Sequence, residues 1–320
     1  MTGGLCALAK KNDNIMAKTP IAPSELIINP DGSIFHLHVK PEQLADKVIL
    51  VGDPGRVPLV ATHFDTTECD VSSREFRTIT GTYQGKRITV VSTGIGCDNI
   101  DIVVNELDAL ANIDFATRTI NDNLRQLELV RIGTCGGLQP NTPEGTFIAS
   151  EISIGFDGLL NFYAGRNDVA DLPLEAAFLK HMNWHGTQCI THPYAVHANV
   201  ELLNRIAADD MVRGITIACG GFYGPQGRQI RIPIQDPEQN EKVESFRYIV
   251  PETTVACKKG EELKVCNFEM ESSAVAGLSA LLGHRAMTCC MVIANRYAKE
   301  MNTEYKNNIE DLIKIVLERI

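Results

Sequence analysis

Short apolar runs that alternate with helix-like runs constrain the fold of this chain more than any other feature. The apolar runs are bounded by glycine or polar turns, which is typical of buried strands. They lie at 47–52, 86–92, 127–132, 145–154, 215–218 and 286–294, and the helix-like runs lie at 100–111, 272–282 and 307–320. Strands that are apolar throughout are buried on both faces, so the pattern predicts an α/β fold in which helices cover a central sheet.

The organisation along the chain predicts one folded domain behind an N-terminal extension. Residues 1–33 mix lysine, asparagine, proline and serine without clear periodicity, so we expect a loosely ordered extension and folded structure from Ile34 onward. No repeat or long linker divides residues 34–320. The segment 230–254 is polar and contains proline, which indicates an excursion between core elements, either a charged surface loop or a functional lid.

Composition argues against several classes of protein. The 320 residues carry a net charge of −10 and are 44% hydrophobic, which allows a sizeable core but argues against nucleic acid as the main partner. The ten cysteines include no Cys-x-x-Cys pair and no zinc spacing, and the sequence shows neither a secretory signal nor an apolar run of membrane-spanning length. We therefore expect a cytoplasmic protein with reduced thiols, no bound metal and no membrane partner.

Three glycine turns after predicted strands are candidates for anion binding. Gly52 and Arg56 follow the first strand, Arg131 and Thr134 lie in a glycine-rich stretch predicted to end another, and the turn 92–96 leads into a helix-like run. Backbone N–H groups and arginines at the carboxyl edge of a sheet can hold a phosphate. Arg131 lies within an apolar run, where it needs an anionic partner. Ordinary strand-to-helix turns are the alternative interpretation.

A further candidate site lies in the stretch 220–228, where glycine and proline exclude a regular helix. Phe222 can stack on a planar ring. Gln226 offers a donor and an acceptor while Arg228 offers donors only, so together they can bind the edge of a small ring with carbonyl and N–H groups. Uracil fits this description. The alternative is a Gly/Pro turn with a solvated arginine.

Two carboxylates precede the predicted helix 272–282. Glu271 could accept hydrogen bonds from the two hydroxyls of a sugar diol, with Met270 packed against the sugar. The structural alternative is that acidic residues stabilise the helix N-terminus and that Ser272 caps it. His36 and Arg74 stand apart from these motifs, and singly they would be a half-buried strand histidine and a solvated charge.

Together and in this order, the segments resemble the nucleoside phosphorylase superfamily of the purine nucleoside and uridine phosphorylase type. The resemblance runs from about Ile34 to the C-terminus. It rests on the segments 35–37, 52–57, 74–76, 92–96, 106–107, 131–136, 222–228, 269–272 and 295–296. The resemblance implies a three-layer α/β/α sandwich around a mixed, partly barrel-like β-sheet.

The resemblance also implies a role for each site residue. Phosphate would be held by Gly52, Arg56, Arg74, Arg131 and Thr134, the ribose by His36, Thr134, Met270 and Glu271, and the base by Phe222, Gln226, Arg228, Glu269 and Arg296. The catalytic group would be Arg56, Arg131, Gln226, Arg228 and Glu271. His36 and Arg74 would come from a neighbouring subunit, which implies a homodimer or a higher homo-oligomer with shared sites.

The reaction implied by the resemblance is the reversible phosphorolysis of uridine to uracil and ribose 1-phosphate, a pentosyl transfer that needs no metal or organic cofactor. Purine-cleaving relatives carry a Ser-Asp pair after the last core strand, where this chain has Asn295-Arg296 and no acid. A purine or methylthioadenosine phosphorylase and a non-catalytic nucleoside sensor are the alternatives. Residues 97–99 depart from the usual Pro-Ser, and Asp98 would repel a phosphate unless it points away or pairs with an arginine.

Overall fold

The computed structural model describes residues 19–184, 189–251, 259–296, 300–301 and 309–320. Its strands are β1 (Lys47–Val51), β2 (Thr66–Ser73), β3 (Phe76–Tyr83), β4 (Lys86–Ser92), β5 (Ile113–Asp114), β6 (Thr119–Ile120), β7 (Glu128–Gly137), β8 (Phe147–Gly155), β9 (Tyr194–His197), β10 (Val212–Ala218), β11 (Arg247–Ile249), β12 (Glu262–Glu269), β13 (Arg285–Asn295) and β14 (Glu300–Met301). Its helices are α1 (Arg56–Ala61), α2 (Cys97–Asn112), α3 (Arg166–Val169), α4 (Leu172–Met182), α5 (Val200–Ile206), α6 (Gln239–Ser245), α7 (Ser272–Leu281) and α8 (Ile309–Arg319).

Strand β1 illustrates how the sheet is covered on both faces. Val48 and Leu50 pack into one apolar cluster with residues of α2 and α7, while Ile49 and Val51 pack into another with residues of α1, α5 and α8. Because successive side chains of a strand point to opposite faces, this alternation places helices on both sides of the sheet. The predicted three-layer α/β/α sandwich is confirmed.

Twelve strands form one mixed sheet in the order β11-β12-β10-β8-β13-β7-β1-β4-β3-β2, with β9 paired to β8 and β14 to β13. Strand β12 pairs a second time, with β7, through Asn267 opposite Gly137 and Phe268 opposite Gly136. That contact closes β7, β13, β8, β10 and β12 into a ring. The closure involves two residue pairs only, so the barrel is partial, and the predicted mixed, partly barrel-like sheet is confirmed.

Parallel pairing sets the edge of the sheet where the glycine turns lie. Strand β1 pairs in parallel with β4 and β7, and β7 pairs in parallel with β13. The carboxyl ends of these strands therefore share one edge, and the turns that follow β1 and β4 leave the sheet there. The predicted turn after Arg131 is wrong, because β7 stays extended and paired with β13 as far as Gly137.

The predicted apolar strands and helices are all present, with differences at their ends, but α4 is not predicted. The strands that are not predicted include β2, β3 and β12. Strand β2 is a largely exposed polar edge strand, β3 is interrupted by threonine and glycine, and β12 mixes exposed with buried side chains. A continuous apolar run is absent from all three, which explains why the pattern misses them. None of the described helices is both long and apolar enough to cross a membrane.

Folded structure begins before the predicted Ile34. Leu26 is 7% exposed and belongs to the same apolar cluster as β1 and α2. The Ile21 N–H donates to the Arg118 carbonyl at 2.8 Å, and Arg118 Nε donates to the Ile21 carbonyl at 2.8 Å. The segment therefore packs on the domain through contacts with distant residues, which its mixed local composition does not reveal. Residues 1–18 lie outside the described part of the chain.

The prediction that 230–254 is a loop or lid is wrong for much of its described part. That part contains α6 and β11, and β11 extends the sheet by antiparallel pairing with β12. Val243 and Phe246 are buried in a cluster with Phe178 and Trp184. Residues 252–254 lie outside the described residues. The division of the chain into a single domain with an N-terminal extension stays a prediction.

Replacing Leu26 with alanine tests whether the segment before Ile34 belongs to the folded unit. Leu26 is 7% exposed and its neighbour Ile27 is 43% exposed, so the two alanine substitutions differ mainly in burial. We expect Leu26→Ala to lower the free energy of unfolding by about 2–3 kcal/mol. Ile27→Ala should lower it by less than about 0.5 kcal/mol in the same urea titration. Equal losses for the two variants would contradict the packing of this segment.

Candidate active site

The turn after β1 brings an arginine to the carboxyl edge of the sheet. Gly52 follows the strand, and α1 begins at Arg56. Arg56 is 9% exposed, and its Nη1 donates to the Ile132 carbonyl of β7 at 3.2 Å. The first glycine turn and the residue next to Arg131 are therefore in direct contact, as expected if both contribute to one anion site.

Arg131 lies within β7, and its side chain is 5% exposed. Its Nη1 donates to Glu269 Oε2 at 3.1 Å, and its Nη2 donates to Glu271 Oε2. Burial acts to lower the pKa of the guanidinium, but the two carboxylates raise it by more, so Arg131 stays charged. The anionic partner predicted for this arginine is thus supplied by the chain itself. We call Arg131, Glu269 and Glu271 the arginine–carboxylate cluster.

Gly133 makes room for the arginine of this cluster. A Cβ at Gly133 would lie 2.4 Å from Arg131 Nη1 and 2.8 Å from Cys290 Sγ. Residues two apart on a strand share a face, so the guanidinium folds back over the glycine. Gly133 therefore does not form a turn, and its lack of a side chain leaves space for the Arg131 guanidinium.

Glu269 holds the start of α7. Its side chain is 1% exposed, and its carboxylate accepts hydrogen bonds from the Glu271 N–H at 2.9 Å, the Ser272 N–H at 3.0 Å and the Ser272 hydroxyl at 2.6 Å. Burial raises the pKa of Glu269, while Arg131 and Ser272 act in the opposite direction. The carboxylate is therefore fully engaged inside the protein.

Two expectations change with this geometry. Ser272 does not cap the helix: the N-cap residue is Glu271, and the N–H groups at the helix start are accepted by Glu269. The contacts of Glu269 also do not favour binding of the base, because its carboxylate is buried and accepts hydrogen bonds from the backbone and from Arg131. The N-terminal N–H groups of a helix need acceptors, and Glu269 supplies one from the preceding strand.

Glu271 joins the turn 92–96 to the cluster. Its Oε1 accepts a hydrogen bond from the Gly96 N–H at 2.7 Å. Cys97, the first residue of α2, donates from Sγ to the Met270 carbonyl at 3.1 Å. The predicted ribose-binding pair Met270 and Glu271 is therefore fixed against the start of α2.

Thr134 lies on β7, three residues after Arg131, and Asp98 lies at the start of α2, two residues after Gly96. Thr134 is half-buried in β7, opposite Met291 of β13. Asp98 is exposed in the first turn of α2, and its Oδ1 lies 2.8 Å from where a Cβ on Gly96 would be. A carboxylate in the first turn of a helix is favourable for the helix itself, so Asp98 has a structural reason to flank the turn.

The stretch 220–228 gathers three predicted base-binding side chains. The guanidinium carbon of Arg228 lies 3.9 Å from the centre of the Phe222 ring. Arg228 Nη1 donates to the Phe222 carbonyl at 2.7 Å and to Gln226 Oε1. Gln226 is 3% exposed and Phe222 is 47% exposed. Burial, followed by the charge of Arg296, lowers the pKa of Arg228 to about 10, so the side chain remains a cation at neutral pH.

Arg296 connects this group to the arginine–carboxylate cluster. Its Nη1 donates to the Gln226 carbonyl, and its guanidinium carbon lies 5.5 Å from the centre of the Phe268 ring. Phe268 precedes Glu269 in β12, and the Cys219 N–H donates to the Glu269 carbonyl at 2.9 Å. The predicted base-binding group and the predicted ribose-binding residues therefore lie at the same end of β12.

His36 and Arg74 form a separate group around Phe35. The Phe35 and His36 ring centres are 4.7 Å apart, and the Arg74 guanidinium carbon lies 5.6 Å from the Phe35 ring centre. His36 Nδ1 lies 2.6 Å from Glu106 Oε1, and Glu106 also accepts the N–H of Leu37 at 2.9 Å. The sequence predicts no role for Glu106, which here holds His36 and the backbone of Leu37. The two residues expected from a neighbouring subunit thus lie side by side, and their contribution to a partner's site stays a prediction.

Comparison with known proteins gives consistent matches over most of the chain. The family model of the phosphorylase superfamily matches residues 46–320. The uridine phosphorylase of Thermococcus kodakarensis is 30% identical over 273 residues, covering 84% of this chain and 80% of the relative. The uridine phosphorylase of Escherichia coli is 30% identical, covering 89% of this chain and 96% of the relative. The DeoD-type purine nucleoside phosphorylase of Bacillus velezensis is 25% identical, covering 89% of this chain and 98% of the relative.

A solved structure agrees with these matches. A nucleoside phosphorylase of Trypanosoma brucei, described as showing uridine phosphorylase activity, aligns with a TM-score of 0.80 and 29% identity. The alignment covers 92% of this chain and 98% of that chain. The predicted family resemblance is confirmed.

Replacing Arg131 with methionine would leave two buried carboxylates without their cation. In the variant the folded-state pKa of Glu269 lies further above its unfolded value, so folding takes up a proton and stability falls as pH rises through the interval between the two values. We expect Arg131→Met to lower the free energy of unfolding by about 3 kcal/mol at pH 7 and by clearly less near pH 5, in urea denaturation.

Arg166→Met is the matched control for this experiment. Arg166 donates to a single carboxylate, Glu175, at 2.9 Å, and that pair is 16% and 11% exposed. The control should lose less stability and show a weaker pH dependence, because it leaves one carboxylate instead of two, and Glu175 is more exposed than Glu269 and still accepts the Ala195 N–H. A pH-independent deficit in Arg131→Met would contradict the electrostatic account of the cluster.

Proposed function

The chain belongs to the phosphorylase superfamily, and we propose that within it the protein is a pentosyltransferase that catalyses the reversible phosphorolysis of uridine to uracil and ribose 1-phosphate. The observation that carries this proposal is the grouping of Phe222, Gln226 and Arg228 beside the arginine–carboxylate cluster. An aromatic ring, an amide and a guanidinium match a small ring with two carbonyls and an N–H. The proposal includes a cytoplasmic location and a role in pyrimidine nucleoside salvage.

Phosphate is assigned to the anion site at the carboxyl edge of the sheet. Arg56 and Arg131 provide the fixed charges, since Arg56 contacts β7 next to Arg131. The backbone at Gly52 and the Thr134 hydroxyl complete the site, and Arg74 of a neighbouring subunit adds a further charge. In this proposal the active unit is a homodimer or a higher homo-oligomer.

The ribose is assigned to Met270 and Glu271, with Thr134 beside them and His36 of a neighbouring subunit at the 5′-hydroxyl. Glu271 has its carboxylate next to both Arg131 and the Gly96 N–H, so a diol bound by Glu271 would lie beside an arginine of the proposed phosphate site. A carboxylate suits a vicinal diol because each oxygen accepts one hydroxyl.

A pyrimidine base is favoured over a purine by the residues that follow β13. Asn295 is buried, and its Nδ2 donates to the Thr142 carbonyl at 2.8 Å. Arg296 donates to the Gln226 carbonyl. Neither residue is an acid that could protonate N7 of a leaving purine, whereas two guanidinium groups suit a base that leaves with negative charge on its carbonyls.

In the proposed reaction a phosphate oxygen forms a bond to C1′ of the ribose while the C1′–N1 bond breaks. N1 leaves with the bonding electron pair, the ribose passes through an oxocarbenium-like state, and the proton of the hydrogen phosphate ends on uracil N1. Phosphate is both nucleophile and countercharge. Gln226 and Arg228 stabilise the charge on the uracil carbonyls, and preorganised donors of this kind are worth about 3 kcal/mol each. Nothing in this sequence of bonds requires a metal or an organic cofactor.

The substrate assignment predicts phosphate-dependent loss of uridine in an ultraviolet assay. Uridine and inosine should be compared with and without phosphate, because relatives include purine nucleoside phosphorylases. We expect release of uracil only when phosphate is present, and little or no release of hypoxanthine. Faster cleavage of inosine would replace uridine with a purine nucleoside as substrate, and cleavage without phosphate would make the protein a hydrolase.

Base recognition predicts a large effect of Arg228→Ala. Loss of this donor should lower kcat/KM for uridine by about 100-fold or more, because the guanidinium stabilises charge that develops in the transition state. Arg231→Ala is the matched control, since Arg231 is an exposed arginine three positions away. The control should keep near-normal kcat/KM. Near-normal turnover in a folded Arg228→Ala protein would contradict the assignment of the base site.

A further inference from the structure

Glu269 contacts three other residues of the proposed site through one carboxylate. Its carboxylate meets Arg131 Nη1, the Glu271 N–H, and both the N–H and the hydroxyl of Ser272. With a side chain that is 1% exposed, it has almost no surface to offer to a substrate. These contacts join the proposed phosphate arginine, the proposed ribose carboxylate and the start of α7 through a single group.

The two carboxylates of the cluster differ in how firmly they are held. Glu269 is held by four donors, and it pairs with Ala218 of β10 directly after the two residues of the barrel closure. Glu271 has the Gly96 N–H and Arg131 as its partners. Glu271 is also the carboxylate assigned to the ribose diol, so its contact with Arg131 Nη2 must be shared when a nucleoside binds.

Arg131 is shared in the same way between the two substrates. Its Nη2 meets Glu271, the carboxylate assigned to the ribose, while its Nη1 is bound to Glu269. Gly133 lets the guanidinium lie close to β7, and a Cβ there would come within 2.4 Å of Nη1. The contact with Glu269 is therefore the part of the arrangement that neither substrate has to displace.

We propose that Glu269 is a positioning residue that holds Arg131 and Glu271 in a fixed relation, so that phosphate and nucleoside each favour binding of the other. This inference rests on the proposed function. Glu269 holds Arg131 Nη1 and the Glu271 N–H, which leaves the contact between Nη2 and the Glu271 carboxylate to be rearranged by the first substrate. Binding of one substrate therefore orders the groups that the other substrate meets, while Glu269 keeps those groups within reach of each other. The coupling is reciprocal: phosphate must tighten nucleoside binding by the factor by which nucleoside tightens phosphate binding.

The test is a steady-state rate matrix in which uridine and phosphate are both varied. In the unmodified protein we expect the KM for phosphate to fall severalfold as uridine rises to saturation. Glu269→Gln keeps the volume but replaces the acceptor next to Arg131 and the Glu271 N–H with an amide. In this variant the KM for phosphate should rise by about 10-fold or more and become independent of uridine, since the charge-assisted hydrogen bond between Glu269 and Arg131 is weakened.

Two further variants separate positioning from stability. Glu175→Gln is the matched control, because Glu175 is also a buried carboxylate that accepts from an arginine at 2.9 Å and from the Ala195 N–H at 2.9 Å. It should lose stability without any change in the KM pattern. Ser272→Ala removes only the 2.6 Å hydroxyl donor and should shift the KM for phosphate in the same direction as Glu269→Gln, by a smaller factor. It keeps the proposal testable if Glu269→Gln does not fold.

The outcomes distinguish this inference from the proposed function. Absence of uridine turnover in the unmodified protein would overturn the proposed function itself. Normal turnover with no dependence of the phosphate KM on uridine would overturn the coupling. A Glu269→Gln protein that is active and folded, with the same dependence as the unmodified protein, would show that Glu269 supports stability only.

Discussion

One buried guanidinium held between two carboxylates is the contact on which the rest of the site depends. Arg131 lies inside β7, so it requires anionic partners, and these are the last residue of β12, Glu269, and the residue before α7, Glu271. Glu271 in turn reaches the N–H of Gly96, so a single ion cluster ties β7, β12 and the start of α2 together. An unpaired buried charge costs several kcal/mol, so replacing any one of the three side chains would destabilise the charged forms of the others.

Barrel closure is what allows this cluster to form. Along the sheet, β12 and β7 are separated by β10, β8 and β13, which amounts to four strand spacings of about 4.8 Å, or roughly 19 Å. No salt bridge spans that distance. The direct pairing of β12 with Gly136 and Gly137 bends the sheet back on itself and brings the end of β12 against β7. A closed ring of strands is therefore a condition for the site as well as a property of the fold.

The sequence predicted the layers of the fold and the positions of the glycine turns after β1 and β4, because apolar strands and turn glycines leave local signals. It also predicted that Arg131 needs an anion. It could not identify Glu269 as a partner, since contacts between residues 131 and 269 depend on barrel closure, which no local pattern encodes. The prediction of a turn after Arg131 was wrong for the same reason. The glycines that suggest a turn instead leave space for the Arg131 guanidinium and for the pairing of β12 with β7.

The charge balance of the proposed site explains why several arginines are needed. Arg131 faces two carboxylates, so in the proposed site it cannot hold phosphate by its charge alone, and Arg56 and Arg74 are proposed to add positive charge beside it. Arg74 lies with Phe35 in a separate group, so a shared site would tie anion binding to assembly of the subunits. At the other end, burial and the nearby charge of Arg296 lower the pKa of Arg228. Arg228 and Arg296 repel each other when no anion lies near them. In the proposed reaction the base leaves as an anion, so the negative charge on its carbonyls offsets this repulsion and favours cleavage of the bond to the ribose.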